Sequence, residues 1–224
     1  MSDTKLLVLD TPDHIAQGLG LRAGDTLVAI NGVVFHGDPS EFKQRFSWGR
    51  RLALTFLRAG KYITVLSRTH ELGKWDHRAQ DIALKDFTRI DPDYLSNWEV
   101  FRSADGLYDV QRLDRSLFAL VVPPIWLLHM RMWRPLAAWV AMSLFAGIAG
   151  LWAVVAVQVF MGILFWKSGP DFVRADRRMR GLDPIGVVAA RAEAGAHAEV
   201  SRLYPDLVWI CAPTKPAIAS HADA

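Results

Sequence analysis

The chain has 224 residues, 51% of them hydrophobic, and 26 basic against 23 acidic side chains give a net charge of +3. Nine Trp and eleven Phe exclude a disordered chain. Between residues 116 and 166 there is no acidic side chain and the only charges are Arg131 and Arg134, which excludes an ordinary soluble globule along that stretch.

Residues 5–10, KLLVLD, predict a strand, and Asp13 predicts the cap of a short helix, HIAQG. A turn-rich connection, LGLRAGD over 19–25, leads to a second strand, TLVAI over 26–30. Asn31-Gly32 is the pair favoured in a type I′ hairpin turn, with residues 33–35 returning. Asp38, Pro39 and Glu41 predict the N-cap, first position and third position of a helix that runs to about Ser47 and buries Phe42 and Phe46. Alternation in RLALTFLR over 51–58 predicts a strand, the Ala59-Gly60 turn follows, and 62–66 pairs back.

The segment A-x-G-L-x-L-R-A-G-D-x-L-V-A-I-N-G-V at 16–33, with the helix and the R-x-G-K hairpin after it, resembles a bacterial PDZ domain over about residues 5–67. Leu19, Gly20, Leu21, Phe42 and Phe46 are then expected as the framework of a partner-binding module. The resemblance implies that a bound peptide adds to a sheet edge. In that family the peptide-pairing strand and the carboxylate-binding loop usually precede the segment matching 6–9, and that strand is expected to be missing here. The exposed edge is expected to be filled by a later segment of the chain, residues 68–97 being the candidate, or by a partner.

Residues 68–97 are polar and irregular and predict a linker with short helical turns, and 96–101 predict another short helix. Residues 115–133, R-S-L-F-A-L-V-V-P-P-I-W-L-L-H-M-R-M-W, begin a pattern that resembles a family of small uncharacterised bacterial membrane proteins. The similarity extends through a basic helix at 171–180, the segment IGVVAA at 185–190 and an Ala/Glu-rich helix over about 192–203. That resemblance implies a membrane domain and supplies no activity.

Residues 135–166 carry no charge. As one helix, 32 residues would reach ~48 Å against a ~30 Å hydrocarbon core. Two readings stay open: one long tilted helix, or a hairpin of two short helices turning near 147–150. Trp126, Trp133, Trp139 and Trp166, with Arg131 and Arg134, are expected as membrane-interface anchors. Arg174, Arg177, Arg178 and Arg180 are expected either to bind lipid head groups or to act as a plain topology signal.

The expected fold class is α+β: a PDZ-like, partly open β-barrel or sheet with short helices over 1–67, a linker with short helices over 68–114, and a membrane domain over 115–166, formed by the hairpin or the long helix. A basic helix and short cytoplasmic α/β tail over 167–211 and a mobile tail over 212–224 complete it. The apolar run at 6–9 is shorter than a signal-peptide core, and the arginines follow the apolar block. These features predict the bacterial inner membrane with both termini cytoplasmic. The single cysteine, Cys211, allows no intrachain disulfide.

His70-Glu71 opens like a zinc motif, but Lys74 stands where the second His belongs. There is no nucleophile elbow and no phosphate loop. His129 is read as an interfacial polar residue. No enzyme activity, cofactor, metal, nucleic acid or small-molecule substrate is therefore expected. The expected partners are other membrane-protein subunits and membrane lipid.

Overall fold

A computed structural model describes residues 5–46, 49–79, 87–114 and 116–212. The expected helix end at Ser47 and the tail from 213 lie outside the described residues. The architecture is mixed α+β, with two sheets and a set of helices.

The first sheet follows the sequence closely. Strand β1 (Lys5–Pro12) pairs antiparallel with β2 (Thr26–Ile30), and β2 with β4 (Leu52–Arg58). Strand β4 pairs with β5 (Lys61–Ser67) in register from Leu52↔Ser67 to Arg58↔Lys61. The short β3 (Val33–Val34) returns from Asn31-Gly32, both at positive φ as a type I′ turn requires. Every residue of β2 is buried, the pattern of a strand covered on both faces. Asp13 caps α1 (His14–Gly18) by accepting from the Ala16 N–H at 2.8 Å. Asp38 caps α2 (Pro39–Arg45) by accepting from the Ser40 and Glu41 N–H groups.

The open edge beside β1 is filled from within the chain. Strand β6 (Gly73–Ala79) pairs antiparallel with β1, placing Leu9 opposite Trp75 and Leu7 opposite His77. The order is thus β5-β4-β2-β1-β6, with β6 at the end.

The expected linker over 68–114 is overturned. Besides β6 it contains β7 (Ser96–Ser103) and β8 (Leu107–Arg112), and its helical content among the described residues is one 3-10 turn at Pro92–Tyr94. Ser96-Asn97 looks like a helix cap, yet Asn97 turns its amide to a neighbouring strand. Its Oδ1 accepts from the Leu66 N–H at 2.8 Å and its Nδ2 donates to the Leu66 carbonyl at 2.9 Å. Asn97 thus bridges β7 to β5, and residues 96–101 are strand where a short helix was expected.

The second sheet has the order β10-β8-β7-β9, with β9 (Leu182–Ala190) antiparallel to β7 and β10 (Val208–Trp209) parallel to β8. Helix α7 (Glu193–Leu203) packs on it through Ala196, Val200 and Leu203. The two sheets share one apolar core, from Leu7, Leu27 and Phe56 to Val100, Val187 and Val200. Residues 1–67 are therefore half of a larger lobe, not the separate domain expected.

Between β8 and β9 the chain leaves the lobe as helices: α3 (Leu117–Val121), α4 (Pro123–His129), α5 (Trp133–Ala149) and α6 (Leu151–Met179). Pro123 starts α4, where its missing N–H costs nothing. Gly150, at φ 108° and ψ 174°, separates α5 from α6 with a backbone that only glycine adopts readily. Ser143 and Gln158, seven positions before and eight after Gly150, meet at 3.3 Å, so the arms fold back on each other. The hairpin is the alternative found. Its second arm does not stop at Trp166: α6 runs on through Pro170 and absorbs the basic helix expected as a separate element. Helix α6 is long and apolar enough to cross a membrane.

A small second core joins these helices: Ala119, Trp126, Leu127, Met132, Met161, Phe165 and Val173. Helix α3 lies so close to α6 that a Cβ on Gly162 would stand 2.4 Å from the Leu120 carbonyl oxygen. Gly162→Ala is expected to cost about 1–3 kcal/mol by overpacking. A thermal melt checks it, and an unchanged midpoint would mean that α3 does not rest on this glycine.

Candidate functional site

The candidate site is the junction between the lobe and the helical hairpin. It is built from the loop over 18–25, β7, β9 and the polar end of α6.

The loop from Gly18 to Asp25 is held by one carboxylate. Asp25 is 1% exposed and accepts from the Arg58 Nε at 2.7 Å and from the Arg22 backbone N–H at 2.8 Å. Arg58 also donates to the Gly20 carbonyl at 2.8 Å. Leu21 is buried and Leu19 packs on the core, so both serve as framework. Gly20 does something else. At φ +71°, a Cβ there would lie 2.9 Å from the Gly186 Cα and the Val187 N of β9. The loop lies backbone to backbone on the second sheet, where a side chain has no room. Arg22 adds a bond to the Ile185 carbonyl at 3.2 Å.

Phe42 and Phe46 sit in the core as an edge-to-face pair at 5.2 Å. Phe42 also meets Trp75 of β6 at 5.1 Å, so α2 lies beside β6. The outer edge of β6 has no strand partner among the described residues, and Lys74, Asp76, His77 and Arg78 are exposed along it. Charged edge strands resist indiscriminate pairing while leaving a backbone free for a specific partner.

Of the four arginines expected as lipid contacts or a topology signal, three are paired within the chain. Arg174 donates from Nε to both oxygens of Glu99 at 2.8 Å, and from Nη2 to the Gly18 carbonyl at 3.3 Å. Arg177 pairs with Asp109 at 2.9 Å and with Asp176 at 3.4 Å. Arg180 pairs with Asp176 at 2.8 Å and bonds the Arg131 carbonyl. Arg178 is exposed and has no ion pair among the described residues, so of the four it is the one still offered to an outside anion. The sequence hides this because the acidic partners Glu99 and Asp109 lie on strands about seventy positions away.

Glu99 is 5% exposed, and burial holds its carboxyl above the usual range even though the Arg174 bond pulls it down. Clamped to β7 and β8 and to the loop that starts at Gly18, α6 is fixed to both halves of the lobe.

The expected interface residues divide. Trp126 is 5% exposed and meets Phe165 at 5.8 Å with the rings tilted, so it is a core residue of the helices and not a surface anchor. Gly169 lies against its ring. Trp139 and Trp166 are half-buried. Trp133 is 61% exposed, and Arg131 and Arg134 are exposed beside it at the base of the hairpin. Among the described residues no group of three or more His, Cys, Asp or Glu side chains could hold a metal ion.

A family model described as "Protein of unknown function (DUF2628)" matches residues 71–167, less than half of the chain. The matched stretch begins just before β6 and ends within α6, leaving residues 5–67 outside. No curated protein and no solved structure matches the chain.

Proposed function

We propose that this chain is a non-catalytic, membrane-anchored protein-interaction subunit. It would serve as an accessory or assembly factor of a larger bacterial inner-membrane complex, respiratory, photosynthetic or similar. One observation carries the membrane part of the reading. Strands β7 and β9 pair along their length, yet α3 to α6 lie between them in sequence. A single crossing by α6 would put those strands on opposite faces of a bilayer. If α6 enters, α5 must return the chain, and the whole lobe stays on one side.

The arms suit that geometry. Seventeen residues of α5 span ~25 Å, and the apolar stretch 151–166 spans ~24 Å, against a ~30 Å core. Phe145 (73%), Ile148 (85%) and Trp152 (83%) are exposed around the tip. Arg131, Arg134 and Lys167 cluster at the base, which supports a cytoplasmic lobe. The interaction part rests on the fold of the lobe and on the outer edge of β6, which has no strand partner among the described residues. That edge also favours the second reading, an adaptor that receives an extended peptide and presents membrane substrates to a protease or regulator.

Two measurements test this. In a Cys211→Ser background, a cysteine at 148 is expected to react with an impermeant maleimide from outside intact cells, while exposed Cys211 of the unaltered chain does not. Equal labelling of both, or extraction of the protein by alkali, would overturn the anchored hairpin. Purification from native membranes in mild detergent is expected to yield a stoichiometric set of membrane subunits. Elution alone would overturn the accessory role, and elution with a protease and many weak substrates would favour the adaptor.

A further inference from the structure

A cavity of about 590 Å³ opens where α3, α4 and α6 meet the end of β8. That volume lies in the range of small-molecule sites. Its floor is apolar, made by the buried Trp126, Phe165 and Val173. Its rim is polar: Gln111, His129, and Arg112, which Asp114 neutralises at 2.8 Å. A cavity with an apolar floor and a nearly neutral polar rim fits a hydrocarbon chain whose head carries uncharged oxygens.

The surroundings say where such a chain comes from. Leu117, Phe118 and Ile125, which line the cavity, are also 58–70% exposed on its outer side. Trp166, which closes the uncharged stretch 135–166, lines the same cavity. The mouth therefore stands at the end of the apolar part of the hairpin, where a chain from a surrounding bilayer would reach it. We infer that the cavity takes one acyl chain of a bilayer phospholipid, with its ester oxygens at the Gln111–His129 rim. This rests on the anchored-hairpin reading. Its consequence is that the angle between hairpin and lobe is set by a lipid as well as by the α6 clamp.

The test is photolabelling in phosphatidylcholine vesicles doped with a phosphatidylcholine that carries a diazirine at the end of one acyl chain. Crosslinks are expected at Phe165 and Val173 inside the cavity, as well as at Phe145 and Ile148 on the hairpin. Gly169→Leu builds a side chain into the cavity beside Trp126, whose ring would stand 3.4 Å from the new Cβ. Ile125→Trp narrows the mouth from an exposed position, away from the core. Either variant is expected to lose the cavity crosslinks and keep those on the hairpin.

Hairpin crosslinks with none in the cavity, or cavity crosslinks indifferent to both variants, would overturn the inference and leave the anchor standing. No crosslink anywhere would overturn both. Cavity labelling by a diazirine fatty acid but not by the phospholipid would overturn it in favour of a free acid.

Discussion

Arg174→Ala is expected to lower stability by about 3–5 kcal/mol at neutral pH, the cost of leaving a buried charge without its partner. Glu99 is 5% exposed on β7, and Arg174 is the cation that bonds both its oxygens. Without Arg174 the carboxylate stays charged and unpaired or takes up a proton. The second route gives the prediction its pH dependence. Burial already raises the folded-state value of Glu99, and removing Arg174 removes the hydrogen bond that lowers it. A carboxyl raised on folding adds stability below its unfolded value, and that stability is lost as pH rises through the folded value. The variant is therefore expected to regain stability toward mild acid, and its deficit to be largest near neutrality.

Denaturant titration of the detergent-solubilised protein across that range checks this. The double variant Glu99→Leu/Arg174→Leu is expected to recover much of the loss, since an apolar pair replaces a charged one at little cost. A neutral-pH loss below about 0.5 kcal/mol, the size of an ordinary surface change, would mean that the pair does not clamp the hairpin.

The sequence makes the first sheet readable because its signals are local. The caps at Asp13 and Asp38, the Asn31-Gly32 turn and the alternation in β4 each act within a few residues. Strand β6 is harder to see, because an edge strand carries Lys74, Asp76, His77 and Arg78 and so reads as a polar connection. Strand β7 is masked by Asn97, whose amide serves Leu66 where a local reading gives it to a helix.

The helical hairpin is legible in the lack of charge over 135–166. Its continuation through Pro170 is not, since proline normally marks a helix boundary and only tertiary support carries the helix past it. The arginines after the apolar block illustrate the same limit. Composition marks them as a basic patch, and only the fold brings Glu99 and Asp109 alongside. Trp126 looks like an anchor by its place in the chain, and its packing beside Phe165 makes it core.

Asp25→Ala is expected to cost a further large amount, about 3–5 kcal/mol, at a place where the loop over 18–25 joins the second sheet. Asp25 accepts from Arg58 and from the Arg22 N–H, and Arg58 in turn holds the Gly20 carbonyl. Removing the carboxylate strands a guanidinium that is 20% exposed and releases the loop from β4. Asp25→Asn is expected to fall between: its oxygen still accepts from Arg22, but its amide meets Arg58 donor to donor. Asp25→Ala and Arg58→Ala are expected to be non-additive, with a coupling of about 0.5–3 kcal/mol in a double-mutant cycle.

The effect should also travel. Gly20 rests on Gly186 and Val187, so a loosened loop uncovers β9. Hydrogen exchange at the Gly186 and Val187 amides is expected to quicken in Asp25→Ala, while exchange in the α3–α4 segment stays at its wild-type rate. Equal quickening in both places would mean global loosening and no loop-to-sheet coupling. Unchanged exchange at β9 with the full stability loss would mean that Asp25 supports only the first sheet, leaving the hold of the lobe on α6 to the Glu99–Arg174 clamp.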